Sequence, residues 1–493
     1  MSQNVLADPA GSPPGVREAS KPPLFVDLDG TLIKSDTLVE SVLLLARKSP
    51  AQLLLVPLAL AKGKAHLKTW MADRVRPTAA LLPYRKEFLD YLKAEHQAGR
   101  ELILISAADQ RIVDEVSAHL GIFRAAYGSS RDNNLKGQNK VTLINSLCKG
   151  APFDYAGNER ADLKIWKHAN SAVVVSRSKS LLEAAKANAH DAVSFRDGGV
   201  ALKPLVELMR PHQWLKNLLV FAPFLLAHKK VDALSVERLL SVFFCLSFAA
   251  SAVYVANDLY DIESDRRHER KRNRPVASGN ASVISASFLS LTLVVLSLAL
   301  SAVTLPPVIF FLLIAYLVLN LAYSFVFKNK LLLDILVLAG FYTLRIFAGS
   351  IASEVPISRW FLAFSSFFFL GLACLKRFVE IKKMKFQSLE SVGRDYCADD
   401  LEVIQSAGMI SGMMSVLVFF LYLAESQVAD TLYSSSQLLW LIGPMIIYWT
   451  VRAWIFARRG KMHDDPVWFA ITDRVTWVLG FLTVGLVILA SLL

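Results

Sequence analysis

The chain has 493 residues, of which 54% are apolar and 19% charged, with a formal net charge of +12. That length accommodates more than one domain, and the apolar content is too high for a single soluble globule. The basic residues fall between long apolar runs, which fits cytoplasmic loops facing anionic lipid and argues against nucleic-acid binding.

In chain order, residues 1–23 are rich in Pro, Ser, Gly and Ala and read as a disordered tail without a signal-peptide core. Leu24 to Leu32 then read LFVDLDGTL, an apolar strand running into two aspartates, Asp27 and Asp29. Carboxylates at i and i+2 on a strand-end loop can share one Mg²⁺; the first can attack phosphorus and the second can pass a proton to the leaving group. Residues 37–98 read as a small, mostly helical cap. Within it Leu53–Ala61 is unusually apolar; too short to span, it either rests on a bilayer or packs as a buried helix. Apolar strands recur at Glu101–Ile105, Phe153–Asn158 and Ala172–Ser176, alternating with helical patterns. The expectation for residues 24–200 is a doubly wound α/β sheet with its site at the strand ends.

From Trp214 onward about nine apolar segments have spanning length, centred near residues 221, 246, 292, 313, 342, 366, 414, 445 and 482. The Asp258–Arg274, Lys328–Lys330, Lys376–Glu402 and Arg452–Arg474 loops are basic and the alternate loops carry little charge, the His228–Arg238 loop with its two lysines fitting least well. The expected protein is therefore an inner or plasma membrane protein of many passes, with its soluble head and helix-end chemistry cytoplasmic and its C-terminus outside. The four cysteines, Cys148, Cys245, Cys374 and Cys397, show no paired or metal-like spacing, which suits a reducing face.

The stretch Asn257 to Pro275, NDLYDIESDRRHERKRNRP, carries the sharpest signal. On a helix, Asp258, Asp261 and Asp265 fall on one face with Asn257 beside them. Three such carboxylates repel one another unless a divalent cation sits among them, and Mg²⁺ completes its shell with water and phosphate oxygens. With Lys271 and Arg274 close behind, the stretch is a receptor for a diphosphate. Other polar residues sit at cytoplasmic helix ends or within apolar runs: Lys216, Asn217, Tyr323, Lys328, Arg345, Lys376, Arg377 and Glu380. Singly each reads as an interface anchor; together with the acidic face they read as a charged pocket.

The D-x-D-G-T strand resembles the haloacid dehalogenase (HAD) phosphatases. That resemblance implies that Ser106 holds the phosphate, that Lys140 neutralises it, and that Asn158 and Asp162 join Asp27 and Asp29 around the metal. The family usually has an acid where this chain has Asn158, which weakens the implied metal site.

Residues 205–493, through N-D-x-x-D-x-x-x-D-R, resemble the UbiA intramembrane prenyltransferases. Most members carry a second aspartate-rich motif after the sixth span; here Cys374-Leu375-Lys376-Arg377-Phe378-Val379-Glu380 stands instead. With R-P-H-Q-W-L-K-N and Y-S-x-x-x-K, that is similar to the decaprenyl-phosphate phosphoribosyltransferase branch. The resemblance implies transfer of 5-phosphoribose from phosphoribosyl diphosphate (PRPP) to a polyprenyl phosphate. Asp258, Asp261 and Asp265 would hold Mg²⁺ on the diphosphate, Lys271, Arg274 and Lys328 would bind its oxygens, and Lys376 and Arg377 would take the 5-phosphate. A cationic pair suits an added phosphate better than further carboxylates do. Two other readings stand beside this one: a prenyltransferase using a prenyl diphosphate and a lipophilic acceptor, and a membrane scaffold with an inactive head.

Overall fold

The structure, a computed structural model, describes residues 21–131, 133–195, 202–227, 232–386, 395–425, 433–462 and 466–492. Most of the expected N-terminal tail, residues 1–20, lies outside them. The chain forms two compact units. One comprises the chain up to Leu205 together with Asp258–Ser287; the other comprises Val206–Asn257 and Phe288–Leu493.

The first unit is built on a six-stranded sheet, β1 (Leu24–Val26), β2 (Leu102–Asp109), β3 (Ala125–Ser129), β4 (Asp154–Gly157), β5 (Ser171–Val174) and β6 (Asp191–Ser194). The strands are all parallel, in the order β3-β2-β1-β4-β5-β6. Parallel strands are covered on both faces, so their side chains feed two cores. Leu24, Val26 and Leu104 enter one core, and Phe25, Ile103 and Ile105 the other. The edge strands β3 and β6 read AAYGS and DAVS; neither has an apolar run, which is why the sequence pattern misses them. Strand order reverses between β1 and β4, so Asp27 and Asn158, each just past the end of one of these strands, flank the switch point where such sheets bind ligands.

The second unit is helical. Eight helices are long and apolar enough to cross a membrane: Ala233–Tyr260 (its last three residues grouping with the first unit), Val283–Thr304 (likewise at its start), Pro307–Phe325, Leu333–Ser353, Arg359–Lys383, Asp400–Glu425, Ser436–Arg458 and Arg474–Leu492. The segment expected to span near residue 221 does not form one long helix. It is a 3₁₀ run, Pro211–Phe221, followed by the short helix Ala222–Leu226. Pro223 lacks the N–H that a continuous α-helix would use there, and proline restricts the residue before it. The count among the described residues is therefore eight rather than nine.

This broken segment packs against a spanning helix at a glycine. A Cβ placed on Gly349 would lie 1.9 Å from the Val220 carbonyl oxygen, whereas one on Gly340 of the same helix meets nothing within 4 Å. Gly349→Ala must push two backbones apart and is expected to cost about 3 kcal/mol. The thermal midpoint of the detergent-solubilised protein should fall accordingly, and Gly340→Ala should leave it unchanged or raise it.

Candidate functional site

In the first unit the chain leaves β1 at Asp27, whose Oδ1 accepts a hydrogen bond from the Leu28 N–H at 2.8 Å and pairs with Lys140 Nζ at 2.8 Å. Gly30 follows at φ 71°, a left-handed turn in which a Cβ would strike the Asn158 amide at 2.3 Å. That turn points Thr31 Oγ1 at Asn158 Oδ1, to which it donates at 2.9 Å. Asp29 accepts from the Thr37 N–H at 2.8 Å and from the Thr37 hydroxyl at 3.2 Å. Burial, then the charge of Asp36, pushes its carboxyl up from 3.8 to about 7, so it can keep a proton near neutrality.

Asp162 is buried four residues beyond Asn158 and organises that loop. Its Oδ2 accepts from the Asn158 and Glu159 N–H groups, both at 2.9 Å, and its Oδ1 from the Tyr155 hydroxyl at 3.1 Å. Lys140 donates to the same hydroxyl at 3.1 Å. Burial, then the charge of Asp27, raises Asp162 to about 6. The sequence-predicted residues Asp27, Lys140, Asn158 and Asp162 thus share one network. Ser106 is fully buried, with its Oγ accepting from the Ala108 N–H at 3.1 Å. Sequence reasoning missed Tyr155, Thr37 and Lys68. Lys68 reaches from the cap to the Ala107 carbonyl at 2.5 Å, beside Ser106, and its surroundings include Asp29, Asp36, Lys136 and Lys140. A lone lysine on a cap helix carries no motif that could have flagged it.

The acidic stretch also belongs to the first unit from Asp258 onward. It is not one continuous helix. Ala233–Tyr260 ends, Asp261 sits at the break with φ −90° and ψ 10°, and Ile262–Arg267 begins. Asp258 and Asp265, 3% and 2% exposed, converge on Arg274: its Nη1 lies 3.1 Å from Asp258 Oδ1 and 2.7 Å from Asp265 Oδ2. Asp261 is half-buried at the break, and Asn257 half-buried in the last turn of the preceding helix. Lys271 is exposed. Arg266 turns away from the motif to the head: its two terminal nitrogens pair with Glu40 on the cap helix Thr37–Lys48, at 2.7 and 3.0 Å, both side chains buried. Its Nε donates to the Ala277 carbonyl at 2.9 Å. Asp29 therefore holds the start of a cap helix whose next turn grips the segment bearing Asp265.

No group of three or more His, Cys, Asp or Glu side chains among the described residues forms a ready metal cluster. The donor chemistry nonetheless fits Mg²⁺, which takes one or two carboxylates and fills its shell with water and phosphate oxygens. Asp258 and Asp265 are such a pair, aimed at one shared cation, here the Arg274 guanidinium. In the head, Asp27 and the Asn158 amide oxygen would supply donors of lower total charge; here they meet Lys140 and the Thr31 hydroxyl respectively.

The second unit holds two polar knots. In one, Arg377, 1% exposed, pairs with Asp334, itself fully buried, and with Glu380 three residues on. Asp334 Oδ1 also accepts from the Tyr396 hydroxyl at 2.6 Å, and that hydroxyl accepts from the Leu332 N–H at 2.9 Å. In the other, Arg345 donates to Asn217 Oδ1 at 2.7 Å, to the Phe341 carbonyl at 2.5 Å and to the Tyr316 hydroxyl at 3.3 Å. Asn217 in turn donates to Ser247 Oγ at 2.9 Å. Lys216, Tyr323, Lys328 and Lys376 are half-buried. An apolar groove of about 550 Å³ runs along the same unit, lined by Leu312, Leu336, Gly340, Leu344, Phe347 and Leu370 among others.

Removing one partner of a buried ion pair leaves the other charge stranded. Arg377→Ala is therefore expected to destabilise the helical unit by about 3–5 kcal/mol, read as lost yield and a lowered thermal midpoint in detergent. The double change Arg377→Ala with Asp334→Ala should recover part of that loss.

Residues 218–479, more than half of the chain, match the profile of the UbiA prenyltransferase family. The chain belongs to this family. Residues 24–167 match the haloacid dehalogenase-like hydrolases, so a HAD-like domain precedes the UbiA region. Similarity extends across both parts in an uncharacterised protein, y4nM, of Sinorhizobium fredii, 36% identical over 95% of this chain and 91% of that one. Nodulation protein NoeC of Azorhizobium caulinodans is 33% identical over 57% of this chain and 92% of its own length. A decaprenyl-phosphate phosphoribosyltransferase of Mycolicibacterium smegmatis is 30% identical over 57% of this chain and 90% of its own length. The UbiA match spans Lys328, Asp334, Arg345 and Arg377 as well as the whole acidic stretch.

Proposed function

We propose that this UbiA-family protein transfers 5-phosphoribose from PRPP to a polyprenyl phosphate, releasing diphosphate, and that its head then removes the 5-phosphate. The observation that carries the first half is the segment Leu375–Glu380: where a second diphosphate-binding motif would need a run of aspartates, it carries Lys376 and Arg377, with Glu380 paired to Arg377. The similarity to a decaprenyl-phosphate phosphoribosyltransferase supports phosphoribosyl transfer to a polyprenyl phosphate. In the reaction an oxygen of the lipid phosphate bonds to the ribosyl anomeric carbon as the bond to diphosphate breaks. The lipid phosphate is already ionised, so no strong general base is required.

Asp258, Asp261 and Asp265 would hold Mg²⁺, which when bound draws charge from the departing diphosphate. Arg274, now shared by two of these carboxylates, would turn to the diphosphate oxygens with Lys271 and Lys328. Lys376 would meet the 5-phosphate, with Arg377 held behind it by Asp334 and Glu380. Lys216, Asn217, Tyr323 and Arg345 would shape the wall, and the apolar groove would take part of the polyprenyl chain. In the head, Asp27 would attack phosphorus, Lys140 and Ser106 would hold the phosphate, Asp29, which can keep its proton near neutrality, would protonate the leaving oxygen, and water would then attack the phosphorus to free phosphate and regenerate Asp27. Joining the two raises the local concentration of head relative to product.

The test is to give the purified protein ribose-labelled PRPP or a labelled prenyl diphosphate, with polyprenyl phosphate and Mg²⁺. Label from PRPP should enter the lipid fraction. Label entering only from the prenyl diphosphate would replace this reading with prenyl transfer, and no Mg²⁺-dependent binding of either donor would favour a scaffold.

A further inference from the structure

We propose that the cap of the head carries a membrane-contact element of its own: the segment Pro50–Ala61 lies in the headgroup boundary of the bilayer. The segment is a 3₁₀ run, Pro50–Leu55, continued by the short helix Val56–Ala61. Its inner side is satisfied, with Ala59 buried and Leu53 and Val56 packed on the cluster of Leu44, Leu45, Leu67 and Met71. Its outer side is four leucines: Leu54 is 80% exposed, Leu58 64%, Leu60 47% and Leu55 45%. The buried-helix reading of this stretch therefore does not hold for that face.

Three observations select lipid as the occupant. At 12 residues the segment is too short to cross a bilayer but long enough to lie in its surface. From residue 41 to residue 72 the chain has no Asp or Glu, while Arg47, Lys48, Lys62 and Lys64 bracket the leucines. Apolar residues flanked only by bases suit anionic headgroups, where lysine and arginine stems extend to the phosphates. Finally, Arg47 lies over the Tyr260 ring at 5.7 Å and 3.8 Å from Glu263. Tyr260 is the last residue of the spanning helix Ala233–Tyr260, and terminal tyrosines favour the membrane interface. The leucine segment begins three residues after Arg47, next in the chain to that contact. Such contact would present the cap to phosphate esters carried on lipid, but it stands on the surface chemistry alone and not on the head's activity.

The test uses the full-length protein with its four native cysteines replaced, carrying an environment-sensitive fluorophore at Leu58→Cys or, as a control, at the exposed Glu183→Cys. The protein is placed in phosphatidylethanolamine–phosphatidylglycerol nanodiscs with or without lipids spin-labelled near the headgroup. The inference expects blue-shifted emission from position 58, strongly quenched by the spin-labelled lipid, and water-like, unquenched emission from position 183. Water-like emission at position 58 would overturn it. So would blue-shifted emission that lipid does not quench and that depends on protein concentration, because a second copy would then cover the leucines. Unchanged thermal midpoints for the labelled proteins exclude misfolding as the cause of either result.

Discussion

Asp265→Asn and Asp258→Asn should each lower transfer of label from PRPP to lipid by about 10²–10³-fold at fixed Mg²⁺. The two carboxylates are almost wholly buried and both pair with the Arg274 Nη1. Asparagine keeps the shape but removes the charge that would hold a metal against the leaving diphosphate. A fold of 10²–10³ corresponds to about 3–4 kcal/mol of lost transition-state stabilisation. A purely structural role predicts a different pattern: a lower thermal midpoint with activity per folded molecule preserved. The diagnostic readout is the Mg²⁺ dependence. If the carboxylates bind the metal, the half-maximal Mg²⁺ concentration rises in both variants. An unchanged Mg²⁺ curve would remove the aspartates from the metal site. Asp261→Asn, at the break rather than in the converging pair, is a useful third point, since its effect reports whether the loop rearranges to bring all three acids together.

Asp27→Asn is the second large effect expected. Loss of an attacking carboxylate typically costs at least about 10³-fold in turnover. Phosphate release from the lipid-linked product should fall to background while label still enters lipid at the normal rate, so that a phosphorylated lipid-linked ribose accumulates. Asp27 pairs with Lys140, which is also held by the Tyr155 hydroxyl, and the variant leaves that second contact in place. Phosphate release that persists in Asp27→Asn would remove the head from the second reaction. A fall in transfer as well would indicate that the head supports the transferase physically, and Glu40→Gln, which weakens the grip on Arg266 without touching Asp27, Asp29 or Asp162, would then reproduce that fall.

The spanning helices and the parallel sheet were legible because each is set by a local period. Strands such as Leu24–Val26 and Leu102–Asp109 are apolar runs whose side chains alternate between two buried faces. The membrane helices show as length and apolarity alone. The D-x-D-G-T turn and the Asp258–Asp265 spacing pointed to the HAD-like and UbiA families for the same reason, since neighbours along a chain constrain one another directly.

What the chain alone could not determine is which of these groups find distant partners. Spacing put Asp258, Asp261 and Asp265 on one helical face, but the helix breaks at Asp261, and Arg274 then selects the outer two. Arg266 and Glu40 are 226 positions apart, and nothing in either one's surroundings names the other. Lys376 and Arg377 look equivalent in sequence, yet Asp334 and Glu380 hold Arg377. A buried charge must be neutralised, but the identity of the group that does so is settled only when the tertiary structure brings one within reach.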